Sequence, residues 1–132
     1  MSCLFCKIVN KEISNYTVFE DENVLAFLDI FPCSEGHTVL IPKKHGEVIS
    51  DFSDKEIAEL FAAVPRITKK LQEKLGVSDF NIGWNHGTVG GQAVPHLHIH
   101  IIPRRVGDGG TSMHGIVKNP GRPVAEVLQD LQ

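Results

Sequence analysis

Positive charge is not in excess in this chain of 132 residues, where 13 lysine and arginine residues stand against 16 aspartate and glutamate residues for a net charge of −3. Because binding to nucleic acid depends on a positive field, we expect no nucleic-acid partner. No apolar run approaches the roughly 20 residues of a membrane helix, and the first residues, MSCLFCKIVNKEI, lack the features of a secretion signal. We therefore expect no membrane association.

Cysteine is scarce as well, since there are three in the chain and an odd number cannot all pair within it. This count argues against a disulfide framework and for a reducing compartment, so we expect a cytoplasmic protein. Internal repeats, low-complexity tracts and linkers are also absent. With 42% hydrophobic and 22% charged residues, the composition is that of a globular protein with a core of its own. We predict a single domain over residues 1–132.

The hydrophobic periodicity predicts one long helix and about five strands. The helix begins at a capping box formed by Ser53 and Glu56 and ends before Gly76, with a kink or a lost backbone bond expected at Pro65. Short connections between the other runs favour antiparallel pairing. We therefore predict an α+β domain with short terminal helices, a glycine-rich loop over about 106–122 and a C-terminal helix over about 123–131. The predicted strands cover 16–21, 23–30, 37–42, 79–85 and a segment beginning at residue 96.

Histidine, by contrast, is concentrated in VPHLHIHIIPR (94–104), where three of the seven histidines occupy alternate positions. Alternate side chains of a strand share a face, so His96, His98 and His100 would point one way while the apolar residues between them point toward a core. Histidine is too rare to serve here as surface filler. Such a row can bind a metal, or it can supply a nucleophile together with the groups that orient it.

The loop before this segment, GTVGGQAVPH, favours the second chemistry. Gly87, Gly90 and Gly91 allow backbone N–H groups to approach an anion closely, and Gln92 adds a neutral side-chain donor. Any one of these glycines could equally serve only to make a turn. Joined directly to the histidines, the loop is typical of a phosphate-binding site.

HLHIHII also resembles the signature of the histidine triad (HIT) family, in which three histidines alternate with apolar residues. The segment 19–45, FEDENVLAFLDIFPCSEGHTVLIPKKH, is similar to the N-terminal strands of that family, and GGQAVPHLHIHIIPR to its catalytic segment. The resemblance covers roughly residues 3–104. It implies a HIT-like fold and a nucleotide-binding hydrolase or transferase that acts at the α-phosphate. It also implies a homodimer with the long helix and a sheet edge at the interface.

Carried onto this sequence, the resemblance makes His98 the nucleophile that forms a nucleotidyl–histidine intermediate. It places His96 and His100 beside that nucleophile and adds His37 to the cluster. Asp29 matches an acidic residue that binds ribose hydroxyls, although without the resemblance it would be an ordinary turn residue. The residues expected to bind the nucleotide are Phe27, Asp29, Ile30, Asn85, Gly91, Gln92, Ala93, His98 and His100.

Cys3 and Cys6 in CLFC form a second feature, with the C-x2-C spacing of metal ligands. The pair alone is only suggestive, because small buried cysteines are common and a redox role is open. Some bacterial-type HIT proteins join this pair with the histidines that match His45 and His96. The resemblance thus implies a zinc site with four protein ligands, which makes the zinc structural. No catalytic metal is expected.

The function that this sequence best supports is hydrolysis of purine nucleoside phosphoramidates, with an AMP- or GMP-type nucleotide as the bound partner. A dinucleoside polyphosphate hydrolase or nucleotidyl transferase of the same family would share the intermediate and differ in the leaving group. Ala93, where relatives often have Ser or Thr, leaves that preference open. A nucleotide-binding regulatory protein without catalysis is a third interpretation.

Overall fold

A computed structural model describes residues 3–132 and contains one five-stranded sheet with helices on both faces, which confirms the predicted α+β class. The helices are α1 (Leu4–Val9), α2 (Asp54–Leu75) and α3 (Val124–Leu131), and the strands are β1 (Thr17–Glu20), β2 (Val24–Leu28), β3 (Thr38–Pro42), β4 (Asp79–Gly83) and β5 (Ile99–Arg104). Single 3₁₀ turns lie at Ile49–Asp51 and Met113–Gly115. None of the helices in this part of the chain is long and apolar enough to cross a membrane.

The strands follow the order β1-β2-β3-β5-β4, and every neighbouring pair is antiparallel. β5 lies between β3 and β4, where His100 is paired with Val39 on one side and with Gly83 on the other. Directly paired residues share a face of the sheet. The His100 ring therefore lies on an inner strand of the sheet, flanked by β3 and β4. The edge strands of the sheet are β1 and β4.

α2 packs on the face opposite the histidines. Its predicted capping box is present, since the Ser53 N–H donates to Glu56 Oε1 at 2.8 Å and the Glu56 N–H donates to Ser53 Oγ at 3.2 Å. The helix ends at Gly76, whose φ of 69° is a left-handed conformation that glycine adopts without strain. The core beneath α2 includes Leu60, Ala63, Ile67 and Leu71 of the helix and Val24, Ala26, Leu40, Leu97, Ile99 and Ile101 of the sheet side.

The kink predicted at Pro65 does not interrupt α2, which runs unbroken from residue 54 to residue 75. Pro65 is exposed, and on the exposed side of a helix water can bond to the carbonyl that a proline leaves without a partner. The packing residues lie on the other side of the helix. The proline therefore costs a backbone hydrogen bond without displacing the buried side chains.

The histidine strand starts later than predicted, because β5 begins at Ile99 and the first two histidines of the row lie in the segment before it. Continuing the register between β3 and β5 would place Leu97 opposite Pro42, and proline has no N–H for the ladder. Leu97 instead donates its N–H to the carbonyl of Gly46 at 2.8 Å. The predicted alternation still holds, with the intervening apolar residues in the core beneath α2.

A second core lies on the histidine face, beneath α1. Phe5 of α1 packs edge-on against Phe27 of β2, with ring centroids 5.7 Å apart. A helix of six residues is too short to be stable alone, so the position of α1 depends on such contacts. The buried residues of this core are Cys3, Phe5, Ile8, Leu25, Phe27, Val39 and Ile41.

Candidate active site and metal centre

His98 lies in the segment before β5, and 7% of its surface is exposed. Its Nδ1 lies 2.7 Å from the backbone carbonyl oxygen of His96. Because a carbonyl oxygen can only accept, the ring proton is on Nδ1 and the Nε2 of the neutral ring keeps a free lone pair. An imidazole held in this tautomer is ready to act as a nucleophile.

His37 and His100 form a hydrogen-bonded pair beside it. The Cys33 N–H donates to His37 Nδ1 at 3.0 Å, so a neutral His37 carries its proton on Nε2. That atom lies 2.9 Å from His100 Nδ1, which must therefore accept, leaving the His100 proton on Nε2. The rings of His98 and His100 are 5.2 Å apart. The pair thus presents a fixed N–H donor next to the candidate nucleophile.

Asp29 lies beside His37 of this pair. One of its carboxylate oxygens accepts the Phe31 N–H at 2.9 Å, and the other lies 3.7 Å from His37 Nε2. Asp29, His37 and His100 are close enough together to hold a metal ion. However, the hydrogen bond from Cys33 keeps a proton on His37 Nε2, and a protonated nitrogen cannot bind a metal. We therefore interpret the three side chains as a hydrogen-bond network.

Burial favours the neutral form of both imidazoles in this network. It lowers the pKa of His37, and the nearby Asp29 carboxylate offsets part of that effect. The pKa of His100 is lowered to about 4, first by burial and then by the neighbouring His98 and His37, again with a partial offset from Asp29. His100 is therefore uncharged near neutral pH, as its hydrogen bond with His37 requires.

Acid is expected to destabilise the fold through His100. The unfolded chain takes up a proton on this residue near its ordinary pKa of 6.5, whereas the folded protein does so only near 4. The free energy of unfolding therefore falls as the pH drops through this window, by about 3 kcal/mol from this group. Urea unfolding at pH 7, 5.5 and 4 measures the fall. The variant His100→Asn should lose this part of the slope, and an unchanged slope would contradict the assignment.

The glycine-rich loop uses Gln92 differently from the prediction. The side-chain amide of Gln92 donates to the carbonyls of Glu47 at 2.7 Å and Val94 at 3.1 Å, while its oxygen accepts the Gly87 N–H at 2.9 Å. Both of its donor hydrogens are thus used within the protein. The side chain braces the loop in this structure instead of offering a donor to a phosphate.

The other residues predicted to bind the nucleotide are distributed around the histidines. Gly91 has a φ of 101°, and a Cβ there would lie 3.5 Å from Asn85 Cγ, so the asparagine packs closely on the loop. Ala93 is exposed, and its backbone N–H has no acceptor among residues 3–132, which leaves it available to an anion. Phe27 is buried, whereas Ile30 is 68% exposed. Phe27 can therefore form the floor of a pocket, and Ile30 its open side.

The four predicted metal ligands converge at the start of α1. Cys3 Sγ and Cys6 Sγ lie 3.4 and 3.6 Å from His96 Nδ1, and His45 Nδ1 lies 3.3 Å from both Cys6 Sγ and His96 Nδ1. All four ligand atoms lie within 4.8 Å of one another. Ordinary bond lengths to a tetrahedral zinc ion would separate two nitrogens by about 3.3 Å and a sulfur from a nitrogen by about 3.6 Å. The group could therefore bind a metal ion.

The hydrogen bonds of His96 also fit a metal ligand. Its Nε2 lies 2.9 Å from the carbonyl oxygen of Pro42, so the proton is on Nε2 and the lone pair of Nδ1 belongs to the cysteine side. The side chain is fully buried. One ring nitrogen is thus engaged by the Pro42 carbonyl and the other faces the cysteines, the arrangement that the predicted metal-ligand role of His96 requires. His96 acts on the site through its carbonyl, which orients His98.

The surroundings of the two cysteines also fit a metal site. Burial, together with the neighbouring Cys3, raises the pKa of the Cys6 thiol, so two adjacent thiolates are unfavourable unless a cation neutralises them. The loop that carries His45 is tied down directly after this residue, because the carbonyls of Gly46 and Glu47 accept hydrogen bonds from Leu97 and Gln92 respectively. The fourth ligand is therefore held in place by the backbone.

Phe5 is a site residue that the sequence analysis missed. Its ring packs edge-on against His96 and His98, with centroids 5.9 and 5.1 Å away. Phe5 lies between the two cysteines of the C-x2-C motif. The segment that supplies two candidate metal ligands therefore also supplies an aromatic ring that packs against His98. A signal was present, since Phe5 and Ile8 lie three residues apart and share a face of a short helix.

Comparison with known proteins agrees with this geometry, because the sequence profile of the HIT domain matches residues 10–107. The chain belongs to the HIT family. It is 46% identical to an uncharacterized HIT-like protein of Methanocaldococcus jannaschii over 130 residues, which are 98% of each chain. It is 40% identical over 104 residues to the adenosine 5′-monophosphoramidase of Schizosaccharomyces pombe, covering 79% of this chain and 75% of that enzyme. A solved HIT family protein from Bacillus anthracis superposes with a TM-score of 0.86 at 36% identity, covering 98% of this chain and 92% of that one.

The resemblance inferred from the histidine motif is thus confirmed for both the family and the HIT-like fold. The match to the Bacillus anthracis protein covers almost all of this HIT protein. Membership places the chain among the nucleotide hydrolases of the HIT family.

Proposed function

We propose that this HIT protein hydrolyses the P–N bond of purine nucleoside 5′-phosphoramidates, releasing a nucleoside 5′-monophosphate and an amine. The observation that carries the proposal is the orientation of His98, whose Nδ1–H···O=C bond to His96 leaves Nε2 as a nucleophile. The name of the Schizosaccharomyces pombe relative, an adenosine 5′-monophosphoramidase, supports the choice of substrate class.

In the first step, the lone pair of His98 Nε2 forms a bond to the α-phosphorus as the P–N bond breaks. The leaving nitrogen keeps the electron pair of that bond and takes up a proton from solvent. The hydrogen bond from Nδ1 to the His96 carbonyl stabilises the positive charge that develops on the ring. The N–H that His37 fixes on His100 donates to a phosphate oxygen and stabilises its negative charge.

In the second step, the oxygen of a water molecule attacks the same phosphorus. The bond to His98 Nε2 breaks, its electron pair returns to the ring, and the water loses its proton to solvent. The products are the nucleoside monophosphate and free His98 in its original tautomer. No metal ion is required by either step.

The nucleotide is held by the residues around the histidines. Asp29 is 23% exposed and has one carboxylate oxygen that accepts no backbone bond, which suits it to accept hydrogen bonds from the ribose hydroxyls. The base is held by apolar contacts that tolerate more than one purine. The remaining contacts are proposed for Phe27 and Ile30 with the base, and for Asn85, Gly91 and Ala93 with the phosphate.

The proposal is tested by measuring AMP release from adenosine 5′-monophosphoramidate and from a diadenosine polyphosphate. We expect the phosphoramidate to have the higher kcat/KM. A preference for the polyphosphate would instead indicate a dinucleoside polyphosphate hydrolase or nucleotidyl transferase with the same intermediate. If neither compound is hydrolysed while AMP binds in a calorimeter, the protein is a nucleotide-binding regulatory protein without catalysis.

We propose that Cys3, Cys6, His45 and His96 bind a zinc ion, since zinc prefers sulfur and nitrogen donors in tetrahedral sites. Four protein ligands leave no position for a substrate, so this zinc is structural. When bound, it neutralises the two thiolates and links α1 to the segments that carry the histidines.

We further propose that the chain is a single domain over residues 1–132 that works in the cytoplasm as a homodimer. None of the three cysteines is in a disulfide, which is consistent with a reducing compartment. β4 is an edge strand, and Trp84 just beyond it packs on Phe61 of α2 at 5.4 Å while remaining 38% exposed. A second copy would cover this edge and its apolar flank. Light scattering should give twice the mass of one chain, and a monomer mass would exclude the dimer.

A further inference from the structure

The loop between β2 and β3, residues 29–37, closes around the side chain of its last residue, His37. The Asp29 N–H donates to the His37 carbonyl at 2.9 Å, and the His37 N–H donates to the Ser34 carbonyl at 3.1 Å. The Cys33 N–H donates to Nδ1 of the ring at 3.0 Å. The path of the loop backbone therefore sets which nitrogen of His37 carries the proton.

The Ser34 side chain ties the middle of this loop to β5. Continuing the register between β3 and β5 places Pro103 opposite Gly36, before β3 begins at Thr38. Pro103 is fully buried, and a buried carbonyl without a donor is costly. Ser34 Oγ supplies the donor, with its hydroxyl oxygen 2.7 Å from the Pro103 carbonyl oxygen. This hydrogen bond fixes residue 34, and with it the neighbouring Cys33, relative to β5.

The two residues after Ser34 differ in how firmly they hold the loop. A Cβ at Gly36 would lie 2.7 Å from Leu75 Cδ1 at the end of α2 and 3.3 Å from Pro103 Cγ, so the loop packs closely on both elements. The Glu35 side chain, by contrast, is 83% exposed and lies 3.8 Å from Arg105 Nη2. An exposed ion pair of this kind contributes little to stability. The loop is thus held by the hydroxyl of residue 34 and the close contact of residue 36.

The hydrogen bond from Cys33 decides the protonation of two rings at once. While His37 Nδ1 accepts this bond, His37 Nε2 donates to His100 Nδ1 at 2.9 Å, and His100 keeps its proton on Nε2. If the loop moved away, His37 could carry its proton on Nδ1, and its Nε2 would accept from His100 Nδ1. His100 Nε2 would then present a lone pair instead of a donor. Water would exchange both protons, so neither ring would gain charge.

The carboxylate of Asp29 favours the present tautomer too, since it lies 3.7 Å from His37 Nε2. This separation is beyond hydrogen-bond distance. The Cys33 N–H, at 3.0 Å from Nδ1, is therefore the closer of the two groups that set the tautomer of His37.

We propose that Ser34 is a positioning residue for the reaction, because its hydroxyl holds the loop so that the Cys33 N–H fixes the tautomers of His37 and His100. The inference rests on the proposed function, in which His100 Nε2–H donates to a phosphate oxygen. Ser34 acts through the two rings and not on the substrate, since its hydroxyl proton is used by the Pro103 carbonyl.

The kinetic test compares the purified wild-type protein with Ser34→Ala and Ser34→Thr on adenosine 5′-monophosphoramidate. Ser34→Ala should lower kcat by about tenfold, because a donor to the charge that develops on phosphate is no longer fixed. KM should change by no more than about twofold, since this donor acts mainly in the transition state. Ser34→Thr keeps the hydroxyl and should retain most of the wild-type kcat.

The tautomers themselves are measured by nitrogen NMR of the substrate-free proteins, labelled at the histidine rings. Protonated and unprotonated ring nitrogens give separate signals. In the wild type, Nε2 of both His37 and His100 should be protonated and Nδ1 of both should not. In Ser34→Ala the four signals should move toward the opposite assignment, a change that a purely structural role of the serine would not cause.

The matched control is Glu35→Gln, in the same loop but at an exposed side chain, and it should leave both kcat and the nitrogen signals as in the wild type. Three results would overturn the inference: a wild-type kcat in Ser34→Ala, a lower kcat with unchanged nitrogen signals, or an equal loss of kcat in Ser34→Thr. In each case the wild type still hydrolyses the phosphoramidate, so the proposed function stands. A wild type without this activity would refute the proposed function, while the nitrogen signals still decide whether Ser34 fixes the tautomers.

Discussion

Replacing His98 by glycine is expected to lower kcat for phosphoramidate hydrolysis by at least about 10⁴-fold, the scale seen when a nucleophile is removed. No neighbouring histidine can take its place. His37 Nδ1 accepts the Cys33 N–H, and His100 Nδ1 accepts the N–H of His37 Nε2. The Nδ1 of His96 belongs to the candidate metal group. His98 Nε2 is therefore the nitrogen whose lone pair remains free for phosphorus.

Two measurements separate a nucleophile from a merely structural residue at position 98. Mass spectrometry of the acid-sensitive intermediate, after rapid mixing and a basic quench, should show a chain heavier by one nucleotidyl group in the wild type and not in His98→Gly. Added imidazole should restore part of the turnover of the glycine variant, because it can enter the space left by the ring. A glycine variant that keeps wild-type turnover without imidazole would exclude His98 as the nucleophile.

Replacing both Cys3 and Cys6 by serine is expected to abolish binding of the proposed zinc ion and to lower the free energy of unfolding by several kcal/mol. Loss of the metal should also disturb the orientation of His98 in the active site. His96 would no longer be held through Nδ1, and its carbonyl orients His98. The start of α1 would also loosen, and with it Phe5, whose ring packs on His98. We therefore expect kcat to fall together with stability.

Metal analysis and urea unfolding of the purified proteins measure this effect. Wild type should contain about one zinc ion per chain, as expected for a four-ligand site, and the double variant should contain none. Cys33→Ser is the matched control, because Cys33 is exposed and lies outside the metal group. A wild-type protein without metal, or a double variant of unchanged stability, would show that the four side chains form no metal site.

Much of the fold could be predicted because its signals are local. The capping box at Ser53 and the glycine at position 76 mark the ends of α2, since capping depends on residues within one turn of the helix. Alternation placed Leu97, Ile99 and Ile101 in a core correctly. The start of β5 was predicted too early, because its limit is set by Pro42 on another strand. Such a limit has no signal in the segment itself.

In the site, too, the sequence predicted the residues but not the contacts between segments that are distant along the chain. The family resemblance named the cysteines and histidines that the structure brings together within 4.8 Å. It did not show that the amide of Gln92 is used by Glu47, 45 residues away along the chain. It also did not show that Phe5 touches His98. Both contacts join segments that are distant in sequence, and neither residue type signals its partner.

The sequence by itself determined which side chains could do the chemistry, because the alternation of histidines and the C-x2-C spacing set which atoms can share a face or a metal ion. Only the tertiary structure decided which role each histidine can have. The tautomer of an imidazole depends on what each of its two nitrogens meets. Those partners, the carbonyls of Pro42 and His96 and the amide of Cys33, take their places only when the sheet and its loops have formed.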